Sequence, residues 1–268
     1  MVSMETFGDR RLDLSIPELG GKGVFSKEVQ QLVLAGEADL AVHSAKDLQA
    51  VTPEGLTIAA IPARGDARDV LVGSTLNELA NGAVVATGSN RRGALLLDRR
   101  NDLELRPLRG NIATRLAKVR DHGAIIMAAA ALDRLAITPP KLERLDPTWF
   151  VPQVGQGALA VEVREDNEEV LEFVASIDHP DTATTVQAER SFLAELGGDC
   201  NLPAGAYAVL VDGMAGPKTE IEIRGVLAAA DLSGLQRATE VGLATSDPGR
   251  LLARRLRKRL EAAESADD

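Results

Sequence analysis

Cysteine is almost absent. Cys200 is the single one among 268 residues, which excludes an internal disulfide and a Cys-rich zinc site. Histidine is nearly as scarce. His43, His122 and His179 are scattered and have no metal-ligand spacing, so no metal is expected. Aromatic residues make up only 3%, so the core must be built from Ala, Val, Leu and Ile. No apolar run reaches the roughly 18 residues that would span a bilayer. The start, Met1-Val2-Ser3-Met4-Glu5, has no basic-then-apolar leader pattern. The expected setting is therefore cytoplasmic, with no membrane partner. A basic excess is also missing. Thirty Lys and Arg stand against 40 Asp and Glu, a net charge of −10, and no nucleic-acid partner is expected. Gly20-Gly21-Lys22-Gly23 lacks phosphate-loop spacing, and Gly155-Gln156-Gly157 lacks the third glycine of a dinucleotide motif.

What is present is unevenly placed charge. Between Val84 and Arg120 lie nine basic residues: Arg91, Arg92, Arg99, Arg100, Arg106, Arg109, Arg115, Lys118 and Arg120. Only Asp98, Asp102 and Glu104 oppose them, a local excess of +6 in an acidic chain. Any single arginine suits a solvated helix face; the set suits an anion-binding surface. The run Arg254-Arg255-Leu256-Arg257-Lys258-Arg259 reads instead as a solvated face. Leu251, Leu252, Leu256 and Leu260 supply its buried stripe. Cys200, in Gly197-Gly198-Asp199-Cys200, is a candidate for covalent chemistry or a small buried thiol.

The chain alternates strand and helix signals. Ser26 begins a helix with Val29, Leu32 and Val33 on one face and Gly36 as its stop. A strand over Ala38–Val42 opens into His43-Ser44-Ala45-Lys46-Asp47, the place where α/β folds set their chemistry. Strands follow at Leu56–Ile61 and Val84–Thr87. Ser89-Asn90 then starts a helix, Leu103–Leu105 reads as a strand, and Arg109-Gly110-Asn111 turns into a second helix with Asn111 as its cap. Such helix starts, with arginines beside them, offer N–H groups and guanidinium forks to carboxylates. Ala124–Ala130 and Ala158–Val163 read as strands. Beyond Asp178 come a helix to Leu196, strands at Tyr207–Val211, Thr219–Leu227 and Gln236–Val241, and an amphipathic helix over Gly249–Ala263.

Several segments together resemble the porphobilinogen deaminase (hydroxymethylbilane synthase) family. They are Gly20-Gly21-Lys22-Gly23-Val24-Phe25, Ala41-Val42-His43-Ser44-Ala45-Lys46-Asp47, Thr87-Gly88-Ser89-Asn90-Arg91-Arg92, Leu108-Arg109-Gly110-Asn111 with Thr114-Arg115-Leu116, Val154-Gly155-Gln156-Gly157-Ala158 and Gly197-Gly198-Asp199-Cys200. Their joint order over nearly the whole chain is far more specific than any one of them. The resemblance implies an α/β protein with two lobes like those of type II periplasmic binding proteins and a small C-terminal α+β domain carrying the cofactor cysteine. The implied domains are 1–62 with 158–177, 63–157, and 178–268. It further implies a monomeric transferase of tetrapyrrole biosynthesis. Such an enzyme joins four porphobilinogen molecules head to tail into hydroxymethylbilane and releases ammonia at each step. A dipyrromethane cofactor would be held by a thioether to Cys200.

By motif position the resemblance makes Asp47 the catalytic residue. Ser44, Lys46, Thr87, Ser89, Arg91, Arg92, Arg109, Gly110, Arg115 and Gly157 would hold the cofactor. Arg109, Arg115, Arg134, Gln156, Lys22 and Phe25 would meet substrate. The chemistry agrees with these residue types. Each porphobilinogen carries an acetate and a propionate, and guanidinium groups bind carboxylates bidentately at all working pH values. Loss of ammonia leaves positive charge on a pyrrole nitrogen, which a carboxylate can stabilise. Without the resemblance, Asp47 reads as a turn or capping residue. Family members begin with roughly forty further residues, which carry a strand, a helix and an Arg-x-Ser motif. The chain as given is therefore expected to be poorly stable and weakly active. The other readings are an inactive truncated relative and a non-enzymatic anion-binding lobe; such a lobe would need neither Asp47 nor Cys200.

Overall fold

The computed structural model describes residues 26–198, 202–214 and 216–267. Lys22, Phe25 and Cys200 lie outside the described residues, and so does the phosphate-loop-like segment around Gly21.

The fold is mixed α/β, with three sheets among the described residues. The first contains β1 (Leu40–Ser44), β2 (Leu56–Ala60) and β8 (Leu159–Arg164) in the order β1-β8-β2, both pairings antiparallel. The chain thus returns after about a hundred residues to insert β8 between two strands that are neighbours in sequence. Helix α1 (Lys27–Leu34) packs against β1. Its Val33 is fully buried with Ala41 and Leu56, and Gly36 turns the chain with φ of 72°.

The second sheet has five strands, ordered β5-β4-β6-β3-β7. These are β3 (Asp69–Val72), β4 (Val84–Ala86), β5 (Glu104–Arg106), β6 (Ala124–Ala128) and β7 (Leu142–Arg144). Pairings of β4 are parallel and those of β3 antiparallel. Helix α2 (Asn90–Arg99) follows β4 directly. Ser89 caps it, its side chain accepting from the Arg92 N–H at 3.4 Å. Helix α3 (Ile112–Ala117) is capped by Asn111, which accepts from the Thr114 N–H at 2.9 Å. The expected strand over Ala124–Ala130 stops two residues early. Ala129 and Ala130 begin the short helix α5 (Ala129–Arg134), which follows α4 (Val119–His122) and β6. Alanine suits either state, and apolar character alone cannot mark the switch. Two strands were not expected from the sequence: β3 and the three-residue β7. Nor was α6 (Glu168–Ala175), whose Phe173 faces outward.

The third sheet is an antiparallel meander of β9 (Ala204–Gly213), β10 (Gly216–Leu227) and β11 (Gln236–Gly242). Helices α7 (Pro180–Glu195) and α8 (Pro248–Asp267) cover it. Phe192, Ile223, Leu252 and Leu256 are fully buried between them. Each such side chain contributes about 1.5–3 kcal/mol. Leu251 corrects the stripe expected for α8: it is 44% exposed, and Leu252 takes the inward position.

Candidate active site

The residues expected to carry chemistry converge where the first and second sheets meet. Strand β1 ends at Ser44 and runs into a single 3-10 turn, Ala45–Asp47. Ser44 and Lys46 then line a recess of about 60 Å³ with Arg134, Gly157 and four alanines: two from α5, one at the end of β6 and Ala158, just before β8. Arg134 donates from Nη2 to the Gly157 carbonyl at 3.0 Å. Gly157 has φ of 87°, and a Cβ there would lie 2.8 Å from the Gly65 carbonyl. Only glycine lets this loop pass so close to the linker between the sheets.

Asp47 is solvent-accessible on one side and crowded by protein on the others. That crowding raises its carboxyl above the ordinary range, against the pull of Lys46, His43 and Arg115. Lys46 moves the opposite way. Burial lowers its ammonium, Arg92 and Arg91 add to the effect, and Asp47 and Asp69 oppose it. Both members of the adjacent pair are therefore pushed towards their neutral forms.

The arginines divide into two groups. Arg109 and Arg115 are half-buried. Arg115 donates from Nε to the Gly110 carbonyl at 2.7 Å, which fixes its stem. Gly110 has φ of 114°, and a Cβ would clash with Thr114 at 2.8 Å. Burial, Arg92 and Arg109 all lower the Arg115 pKa, and Asp47 opposes them. Arg91 and Arg92, by contrast, are 3% and 7% exposed and share one carboxylate, Asp69. Nε and Nη2 of Arg91 are buried with no hydrogen-bond partner among the described residues. Unmade donors on a buried cation call for an anion, and this fits a cofactor rich in carboxylates. Thr87 accepts from the Ser89 N–H at 3.2 Å, shaping the turn into α2.

Gln156 is placed behind the recess. It is fully buried, donating to the Ala67 carbonyl at 2.7 Å and to Asp69 at 3.1 Å, and accepting from Arg92 at 3.3 Å. His43 is buried with Glu162 at 3.2 Å, and Glu162 also accepts from Gln30 at 3.1 Å. Sequence reasoning missed Asp69 and Glu189. The signal for Asp69 was a carboxylate heading an otherwise apolar strand, Asp69-Val70-Leu71-Val72. Glu189, fully buried in α7, accepts from Nη1 and Nη2 of Arg64 at 2.6 and 3.0 Å and from the N–H groups of Gly155 and Ala208. It thereby ties the linker, the glycine loop and the third sheet together.

A larger cavity, about 190 Å³, lies away from these groups beside β10 and β11. Its Arg224 and Arg237 are already paired, with Glu222 and with Asp98 and the Trp149 carbonyl. Among the described residues no three His, Cys, Asp or Glu side chains form a metal-binding group, and no helix is long and apolar enough to cross a membrane.

The cleft where the first two sheets meet thus presents an accessible carboxylate acted on by Lys46, His43 and Arg115 beside a buried arginine pair with unmet donors on Arg91, which is the site of an anion-binding α/β protein. Two family models match the chain. "Porphobilinogen deaminase, dipyromethane cofactor binding domain" matches residues 1–172, and "Porphobilinogen deaminase, C-terminal domain" matches 183–261. The porphobilinogen deaminase of Bacillus cereus (strain B4264) is 44% identical over 259 residues, 94% of this chain and 82% of that protein. That of Bacillus pumilus (strain SAFR-032) is 44% identical over 243 residues, covering 88% of this chain and 76% of that one. The chain belongs to the porphobilinogen deaminase family. A solved amino acid ABC transporter substrate-binding protein, AbpA from Streptococcus pneumoniae, aligns at 18% identity over 64% of this chain and 68% of that one, with a TM-score of 0.30.

Proposed function

We propose that this chain is a transferase of tetrapyrrole biosynthesis that joins four porphobilinogen molecules head to tail into hydroxymethylbilane, with ammonia released at each addition. The observation that carries the mechanism is Asp47: an accessible carboxylate at the end of β1 on which Lys46, His43 and Arg115 act. Departure of ammonia from the aminomethyl carbon leaves positive charge on the pyrrole nitrogen. Ionised Asp47 faces that charge and stabilises it, and can accept the proton released when the new carbon–carbon bond restores aromaticity. Arg109, Arg115 and Arg134 bind the acetate and propionate groups and orient the ring. Arg91 and Arg92 serve the same carboxylates from a buried position. Ser44, Lys46, Thr87, Ser89, Gly110 and Gly157 shape the cofactor's seat, and Gln156 acts by holding Arg92. Lys22 and Phe25 are assigned to substrate by motif position alone. The dipyrromethane, linked to Cys200 through a thioether, supplies the primer from which the chain grows.

The domain division 1–62 with 158–177, 63–157 and 178–268 belongs to the same proposal, and so do the type II binding-protein character of the first two units, a monomeric state and a cytoplasmic setting. The intact mass of the protein and of its Cys200→Ser variant tests the reading. A gain of two linked pyrrole units, absent from the variant, is expected. An unmodified protein that binds anions without consuming porphobilinogen would replace the enzyme with a binding lobe.

A further inference from the structure

Asp69 heads β3 and is 0% exposed. Its Oδ2 lies 2.9 Å from Nη1 of Arg91. Its Oδ1 lies 2.7 Å from Nη2 of Arg92 and accepts from Nε of Arg92 at 2.9 Å and from Nε2 of Gln156 at 3.1 Å. One carboxylate thus gathers three side chains from the start of α2 and the loop before β8. Two adjacent buried guanidiniums repel one another, and a shared anion is what allows them to stay close.

The pair is split by what else each arginine touches. Arg91 donates to the Val151 carbonyl at 2.7 Å and stands 5.9 Å over the Phe150 ring. Its Cδ packs on Gly205 of β9, where a Cβ would lie only 2.7 Å away. Arg92 lies on the cleft side, where its charge acts on both Lys46 and Arg115. Because Asp69 engages only Nη1 of Arg91, Nε and Nη2 remain for an anionic ligand.

We propose that Asp69 is a positioning residue: its carboxylate, braced by Gln156, sets Arg92 towards the cleft and Arg91 against the third sheet, fixing the directions from which the pyrrole carboxylates are gripped. The inference rests on the functional reading above. It assigns Asp69 no contact with substrate; Asp69 acts through the two arginines.

The test compares wild type, Asp69→Asn and Leu252→Ala, which opens the third sheet's core far from the cleft. Cofactor loading is read by intact mass, folding by thermal melting, and KM and kcat with porphobilinogen. Leu252→Ala is expected to melt earlier yet keep full loading and an unchanged KM. Asp69→Asn is expected to load incompletely and to raise KM about tenfold or more, the loss of one charged hydrogen bond, with kcat of the loaded fraction much less affected. Asp69→Glu is expected to restore part of both. Full loading with a wild-type KM in Asp69→Asn overturns the proposal, as does an effect no larger than that of Leu252→Ala. If Asp69→Asn does not fold, Asp69→Asn/Arg91→Met is compared with Arg91→Met alone: a higher KM in the double variant supports the proposal, and equal values overturn it. An unmodified, inactive wild type would sink the functional reading instead.

Discussion

Two stretches of this chain are rich in arginine, and they use it in opposite ways. On α8, the denser of the two, guanidiniums sit at the surface and end on nearby carboxylates or backbone carbonyls. Arg254 pairs with Glu195 at 2.9 Å and Arg255 with Glu240 at 2.6 Å, while Arg257 reaches the Glu195 carbonyl. In the stretch from Arg91 to Arg115, apart from the exposed Arg99 and Arg106, the arginine side chains are buried or half-buried. Two of them share one anion, and a third feels Asp47. Water screens the first set, and each of its pairs contributes at most about 1 kcal/mol. Burial removes that screening from the second set, so unspent donors there hold real affinity for an anion. Local dielectric and the count of available counter-ions, rather than arginine density, separate a functional cluster from a solvated face.

The sharpest way to break this contrast is at its centre. Asp47→Ala is expected to lower turnover roughly 10²–10⁴-fold while Cys200 stays modified; near-normal rates would end the catalytic assignment. Next comes a buried arginine outside the cleft. Arg64→Ala strands Glu189 among its remaining N–H donors and should cost about 3–5 kcal/mol in denaturant unfolding; a loss below 1 kcal/mol would mean that burial is not what matters. Arg115→Leu should weaken porphobilinogen use about 10–100-fold, the worth of a charge-assisted hydrogen bond, and the wild-type KM should rise with salt. A salt-insensitive KM would return Arg115 to a structural role.

Smaller effects refine the comparison. Asp47 must be ionised to stabilise a cation, and its carboxyl is held above its ordinary value of 3.8 by burial, with Lys46 as the strongest opposing charge. Lys46→Met therefore moves the acid limb of kcat to higher pH, and an unmoved limb would uncouple the two residues. Asp69 has the opposite sign. Burial acts to raise it, but Arg91 and Arg92 prevail and hold it low. The stability it contributes is fully present above pH 3.8 and is lost as pH falls through its lower folded value. Arg255→Gln on α8 should change unfolding free energy by less than about 1 kcal/mol and leave turnover intact.

Much of this was legible in advance. Ser89 and Asn111 announced α2 and α3 through their capping chemistry, and Gly36 and Gly110 marked turns that need positive φ. The polar turn after β1 pointed to Lys46 and Asp47. The order of the motifs carried the family. What stayed hidden were β3, with Asp69 at its head, the buried role of Gln156, and the hub at Glu189. A carboxylate in front of Val-Leu-Val gives no sign that two arginines more than twenty residues away will close on it.

The sequence by itself determined the succession of elements, their start and stop signals, the local charge excess and the family. Each of these is written within a few residues or in the order of short motifs. Only the tertiary structure decided that β8 lies between β1 and β2, that Asp69 collects Arg91, Arg92 and Gln156, and that Asp47 stays accessible while crowded by protein. The reason is physical: a charge takes its value from the dielectric and the partners around it, and both are supplied by segments that meet only when the chain is folded.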